Sequence, residues 1–434
     1  MSKNAQYYIS NKAQDIPLNK EAITFMVDGY VKNEVSDPQM AAWLTACYIH
    51  GLSDEETILL TEAMALSGDQ LTWSDHLRQD GRYRLVDKHS SGGVGDKTTL
   101  IITPLVASFG YPVVKLSGRA LGHTGGTIDK LESIPGLRTD FSEEEIEAQV
   151  SRIGLYIGGA TDQLAPADKK MYALRDHIGL IEEPGLICSS IVSKKIASGA
   201  DAFVFDIKYG HGAFMNSKEK ALILAQKIEK TCEYFHKPCE IILSDMNEPL
   251  GDAIGNGLEI QEVVRILSGK VNQGPLVDLS IDLAANMLAL IDPEKPDIDH
   301  WKKQCAMALK NGSALRKFNE MVQAQGGDLD EALDEETEFS YDFYSGESGR
   351  ITAIDAKVFG IAAHDLGAGR LDHDDIHPAA GITLDKHVGD TVFTGERIAL
   401  LHYNLERSQY LYPTIDALKK AVTVDTQVEV NPFN

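Results

Sequence analysis

The sequence Lys88-His89-Ser90-Ser91-Gly92-Gly93-Val94-Gly95-Asp96-Lys97-Thr98-Thr99 places three glycines and four hydroxyl residues between two apolar segments. Residues 83–86, just before it, suit a buried strand, and residues 99–109, at its end, suit a helix. In such a strand–loop–helix unit the glycines let backbone N–H groups approach an anion, and the helix N-terminus adds partial positive charge. Lys88, Ser90 and Thr99 supply further donors. The GxxxxGK[ST] spacing of a Walker loop is absent, so the stretch is either an anion cradle of another kind or merely a tight turn.

A second loop of the same composition follows. Lys115-Leu116-Ser117-Gly118-Arg119 closes the next expected strand, 112–116, and Gly122-His123-Thr124-Gly125-Gly126-Thr127-Ile128-Asp129-Lys130-Leu131-Glu132 runs into another helix. Loops at the ends of adjacent strands can clamp one tetrahedral anion from two sides; the alternative is two unrelated turns. Apolar runs at 202–207 and 239–243 read as further buried strands. The alternation predicts an α/β fold with a central, mostly parallel sheet and its ligand site at the carboxyl ends of the strands.

Working outward, residues 1–70 read as a helical bundle. Ser36-Asp37-Pro38-Gln39 and Ser53-Asp54-Glu55-Glu56 are capping-box sequences, and Gly68 is a candidate C-cap for the helix after Ser53. The acidic stretch 326–346 reads as a linker, and the Gly- and Val-rich remainder, 349–434, as a separate α+β unit. Three units are expected: helical (1–70), α/β (71–345) and C-terminal α+β (346–434).

Bulk properties narrow the function. With 41 Lys and Arg against 65 Asp and Glu, the formal charge of −24 repels nucleic acid and anionic membranes, so an anionic substrate needs a local cluster of amides and cations. No apolar run reaches the roughly 18–20 residues of a membrane span, and the N-terminus shows no apolar signal core. Five cysteines without CxxC spacing indicate neither a disulfide framework nor a zinc site. The expectation is a cytoplasmic enzyme. His123, His177 and His211 lack metal-ligand spacing, and 388–395 reads as a structural hairpin without a modifiable lysine.

A third cluster is Arg175 with Ser190, Lys194 and Lys195. Ser190 and Lys194 are four apart, hence on one face if the segment is helical. The set offers a guanidinium fork and a point charge for a planar ligand carrying carbonyls.

These three clusters together resemble the thymidine phosphorylase and pyrimidine-nucleoside phosphorylase family. Lys88–Asp96 matches its KHSTGGVGD except at Ser91, and Leu164-Ala165-Pro166-Ala167-Asp168-Lys169, Asp206-Ile207-Lys208 and Gly212-Ala213-Phe214-Met215 match further along. The resemblance implies a helical dimerisation domain, joined by a later segment around 161–197, beside the α/β domain, and a homodimer acting on a nucleoside and phosphate. It implies phosphate held by Lys88, Ser90, Thr99, Ser117 and Thr127, together with Lys115. The pyrimidine would be held by Arg175, Ser190 and Lys194, with His89 near O2 and Leu121, Ile181, Ile187 and Phe214 packing the base. His89, Arg175 and Lys194 would carry the chemistry. His89 would titrate near neutrality, as donor of a proton or of a hydrogen bond.

Two departures from the family pattern stand out. Residues 178–185 (Ile-Gly-Leu-Ile-Glu-Glu-Pro-Gly) replace its usual sequence between the base ligands, so an altered base preference is a further reading. Some relatives bind potassium at positions that correspond to Gly95, Lys97, Leu250, Ala253 and Glu262, with threonine where this chain has Lys97. Lysine repels a cation, so we expect its ammonium to fill the site and pair with Glu262, with no metal and no cofactor beyond phosphate as co-substrate. The rivals are a phosphoribosyltransferase of the anthranilate type, which needs a Mg²⁺-bound diphosphate and a stronger acidic pair, and a non-catalytic binding protein.

Overall fold

The computed structural model describes residues 4–78, 81, 84–119, 125–292, 294–295, 297–369 and 376–428. Four helices, Ala5–Ala13, Lys20–Val31, Asp37–His50 and Asp54–Ala65, open the chain. Both capping boxes form: the Gln39 side chain accepts from the Ser36 N–H at 3.0 Å, and Ser53 Oγ accepts from the Glu56 N–H at 3.1 Å. Glu56 also takes the buried Lys12 ammonium at 2.9 Å and the Leu18 N–H at 2.9 Å, so one carboxylate ties three helices' ends together. Helices Pro166–His177 and Pro184–Ala197 return to this bundle and place Ala167, Met171 and Leu186 in its core.

Gly68 is not a helix cap. The helix ends at Ala65 with Leu66 as its C-cap. Gly68 instead lies so close to the Gln163 carbonyl and the Pro166 ring that any Cβ would overlap them, while Asp69 N–H donates to the same Gln163 oxygen at 2.9 Å.

The α/β region contains β1 (Val86–Ser90), β2 (Val113–Ser117), β3 (Leu155–Gly159), β4 (Ala202–Tyr209) and β5 (Cys239–Asp245). β1–β4–β5 and β2–β3 are both wholly parallel, and no ladder joins β1 to β2. Seven consecutive residues of β4 are buried, as expected for a strand covered on both faces. The first strand is displaced from its expected place: Arg84 and Leu85 are irregular, residue 83 lies outside the described residues, and β1 runs through Asp87, Lys88 and His89. Polar residues read as loop there because their burial depends on partners far away in sequence.

The expected linker is structured. Leu329–Asp334 is a short helix, and Phe339–Tyr344 forms β7, which pairs antiparallel with β11 (Arg397–Tyr403). Asp342 on β7 receives Arg397 at 2.8 Å, so the acidic composition serves pairing as well as solvation. Strand β6 (Ala253–Ile254) leaves the α/β region to complete the sheet β6–β9–β11–β7, where β9 is Gly381–Leu384. A second sheet has the order β10–β8–β12, from Thr391–Val392, Gly349–Ile354 and Val422–Asp425. The C-terminal part is α+β as expected, and its Ile351, Ile382, Leu401 and Leu418 belong to one hydrophobic cluster with Val86, Leu100 and Val204. Gly68→Ala should destabilise the protein by about 1–3 kcal/mol through overpacking against the 163–166 backbone, read as a lower thermal midpoint.

Candidate active site

A cleft of about 850 Å³ opens at the carboxyl ends of β1, β2 and β3. Ser90, Thr99, Lys115, Ser117 and Thr127 line one wall, and Ile181, Ile187, Ser190, Lys194 and Phe214 line the other, with His89 between. Leu121 and His123 lie outside the described residues.

On the first wall the glycine loop is organised around Asp96. Its carboxylate accepts from Ser90 Oγ at 2.5 Å and from Thr98 Oγ1 at 2.6 Å, and its backbone carbonyl accepts from Lys130 at 2.8 Å. Burial alone would raise the Asp96 carboxyl, but Lys208 and Lys88 hold it well below the ordinary carboxylate value. Gly95, at φ +71, has a left-handed conformation, and a Cβ there would lie 2.7 Å from the Leu250 carbonyl.

Lys88 does not stand where the phosphate assignment put it. It is 1% exposed, turned into the protein, donates to Thr98 Oγ1 at 2.7 Å and lies 3.5 Å from Asp206. These acceptors satisfy the ammonium beneath the loop, so its influence on the cleft passes through the loop. Lys115 lines the cleft instead. Its ammonium donates to the Lys88 carbonyl at 2.7 Å and lies 3.1 Å from Asp87, which also pairs with Lys195. Burial, only partly offset by Asp87 and reinforced by the charges of Lys195 and Lys88, brings Lys115 down to about 7. Asp87, despite burial that would raise it, is held below its usual value by Lys115 and Lys195.

His89 does not titrate near neutrality. Desolvation, followed by the charges of Lys195, Lys115, Lys194 and Lys88, pushes its ring well below 6.5. It is a neutral imidazole at physiological pH, suited to donate a hydrogen bond and not a proton.

On the second wall, the helix Pro184–Ala197 puts Ser190 and Lys194 on one face as their spacing requires, with Lys194 Nζ donating to Ser190 Oγ at 2.9 Å. Lys194 also pairs with Asp168. Arg175 departs from the expected base contact. It is 2% exposed, does not line the cleft, and donates to the carbonyls of Leu180, Ile181 and Leu186 at 3.2, 2.5 and 3.2 Å. The divergent 178–185 segment turns the Leu180 and Ile181 carbonyls inward, and a buried guanidinium takes the acceptors it can reach. Arg175 therefore fixes the turn that presents Ile181 to the cleft.

The proposed cation position contains the Lys97 side chain. Its ammonium lies 2.9 Å from the carbonyls of Leu250 and Ala253 and 2.6 Å from Glu262, all buried. Glu262 also accepts the N–H groups of Asp252 and Ala253 at 2.8 and 2.9 Å. Among the described residues no group of three or more His, Cys, Asp or Glu is placed to hold a metal ion, and His211 lies 3.4 Å from Asp355.

Several contributors escaped the sequence. Asp87 and Ser244 carry no local signature, since Lys195 and Asp206, their partners, lie 108 and 38 residues away. Tyr172, on the cleft wall and 5.7 Å from the Arg175 guanidinium, was equally silent, although its i, i+3 spacing to Arg175 puts both on one helix face.

Three family models match the chain in order: a glycosyl transferase family helical bundle domain over residues 6–68, a glycosyl transferase family a/b domain over 82–315, and a pyrimidine nucleoside phosphorylase C-terminal domain over 350–425. Pyrimidine-nucleoside phosphorylases of Staphylococcus aureus strains MSSA476 and N315 are each 40% identical over 428 residues, covering 97% of this chain and 96% of theirs. The solved structure of anthranilate phosphoribosyltransferase from Thermus thermophilus superposes with a TM-score of 0.58 at 18% identity, covering 73% of this chain and 99% of that one, a likeness of fold. The first two models define the class: a transferase of glycosyl groups, built from a helical bundle and an α/β domain. Within that class, the chain belongs to the pyrimidine-nucleoside phosphorylase family.

The Lys115 ionisation sets a pH dependence. Its value is lowered from 10.5 to about 7, so the charged form is present below 7 and lost as pH rises through it. The apparent affinity of the free protein for inorganic phosphate should therefore weaken above pH 7, approaching about tenfold per unit. Lys115→Met should bind phosphate more weakly and flatten that limb, measured as kcat/KM for phosphate against pH.

Proposed function

We propose that the cleft cleaves the N-glycosidic bond of pyrimidine nucleosides with inorganic phosphate, releasing the base and an α-pentose 1-phosphate. One observation carries the reading: Ser90, Thr99, Ser117, Thr127 and Lys115 line a single cleft together with Ser190 and Lys194. Phosphate on the first wall stabilises the positive charge that develops on the sugar and attacks C1′. Lys194 stabilises the negative charge that spreads onto the carbonyls of the departing base, and neutral His89 donates a hydrogen bond to it. Ile181, Ile187 and Phe214 pack against the base. Closure of the cleft brings the two ligands together and expels water. The divergent turn held by Arg175 supports a base preference shifted from that of the family.

The protein acts as a homodimer in the cytoplasm. Ile49 and Leu66, 69% and 65% exposed on the helical part, support the first statement, and five cysteines without a disulfide support the second.

Base release from uridine, thymidine and 2′-deoxyuridine should require phosphate and yield the α-1-phosphate; equal release in phosphate-free buffer means a hydrolase and sinks the reading. Lys194→Ala should cut turnover on the order of 10²-fold or more.

The loop is fixed without a metal, because Lys97 supplies the positive charge and three donors at the carbonyls and Glu262. Activity should be the same in potassium and sodium at fixed ionic strength, and a steep potassium-specific rise would overturn this. Lys97→Met should cost about 3–5 kcal/mol of stability by leaving Glu262 buried and uncompensated.

A further inference from the structure

The turn 250–253 is held from two sides. On one side lies the glycine loop. Lys97 donates to the Leu250 and Ala253 carbonyls, both at 2.9 Å, and the Leu250 N–H donates to the Val94 carbonyl at 3.0 Å. Glu262 closes the turn by accepting the N–H groups of Asp252 and Ala253. Gly251, at φ +82, leaves no room for a side chain, since a Cβ there would lie 2.5 Å from Glu262 Oε1. A turn so closely filled has little slack, so a displacement at Asp252 is passed on to Lys97 and to the loop between Ser90 and Thr99.

On the other side lies an arm of the C-terminal part, residues 384–390. The Leu384 N–H donates to the Asp252 carbonyl at 2.7 Å, His387 Nε2 donates to Asp252 Oδ1 at 3.1 Å, and the Val388 N–H donates to Glu248 at 3.0 Å. The arm is itself braced. Asp385 pairs with Arg397, Lys386 lies 2.6 Å from Glu396, and the His387 N–H donates to Asp390 at 2.8 Å. Asp252 is thus shared: its carbonyl and carboxylate serve the arm, and its N–H serves Glu262. The His387 side chain is 34% exposed, so its removal opens no cavity in the core. We infer that His387 is a positioning residue for phosphate, which fixes the glycine loop from outside the cleft through Asp252, the 250–253 turn and Lys97. This rests on the phosphorolysis reading above and adds to it a part for the C-terminal unit in holding the anion wall. Ser190 and Lys194 stand on a different element, the helix Pro184–Ala197, so the effect belongs to phosphate and not to the nucleoside.

The test is His387→Ala, which should raise the KM for inorganic phosphate about 3–10-fold and leave the KM for uridine within about twofold. His387→Gln places an amide donor near the position of Nε2 and should bring the phosphate KM back toward that of the wild type. A residue that only stabilises the fold would lower the thermal midpoint and move neither KM, or both together; either result overturns the inference. Glu248→Ala, which frees the Val388 end of the same arm, keeps the test open if His387→Ala does not fold. Calorimetric titration with inorganic phosphate should show weaker binding to Glu248→Ala than to the wild type, and equal affinity also overturns the inference. That titration needs no turnover. Failure of the wild type to release base from uridine with phosphate would instead strike the proposed function, so the two failures are distinguishable.

Discussion

A buried carboxylate, Asp87, sits between the ammonium groups of Lys115 and Lys195 at the seam where β1 passes β2 without a ladder. Two parallel sheets meet there, and the contact between them is ionic: Lys115 reaches across to the backbone carbonyl of Lys88, and Lys195 comes in from the helix behind the base site. Taking three charges out of water is expensive, and removing the central one would leave two uncompensated cations. The arrangement thus couples the geometry of the sheet to that of the cleft. Burial first, and then the excess of positive charge, keeps His89 neutral and brings Lys115 to about 7.

Beneath the glycine loop a second ionic layer repeats the pattern. Asp206 and Asp96 meet Lys88 and Lys208, with Ser244 and Thr98 filling the remaining hydrogen bonds. Lys97 then anchors the same loop to the 250–262 segment. The hydroxyls and amides that face the cleft are therefore held before any ligand arrives, the condition under which fixed dipoles act strongly on developing charge. The opposite wall is built differently. A regular helix spaces Ser190 and Lys194, and the divergent turn beside it is held by one arginine satisfied by three carbonyls.

Much of this was legible in the sequence because it is local. Capping boxes, the alternation of strands and helices, the two glycine loops and the four-residue spacing of Ser190 and Lys194 all arise from contacts within a few residues, where propensity and periodicity act. The pairing of Lys97 with Glu262 was anticipated from the family resemblance, in which these positions correspond to a cation site. The sequence by itself determined the α/β class, the helical entry into the chain, the family and the composition of both cleft walls.

Tertiary structure decided which charged residues face the cleft and which face inward. Lys88 and Arg175 carry the right chemistry for ligands, yet acceptors brought close by the fold claim them first. Asp87 and Lys88 read as loop residues, and only partners supplied by β2, β4 and the 184–197 helix allow them inside a sheet. The acidic 326–346 stretch became a strand because an edge of β11 was available to it. Burial of a charge is a property of its neighbours in space, which local sequence does not encode, whereas a turn or a cap is a property of its neighbours along the chain.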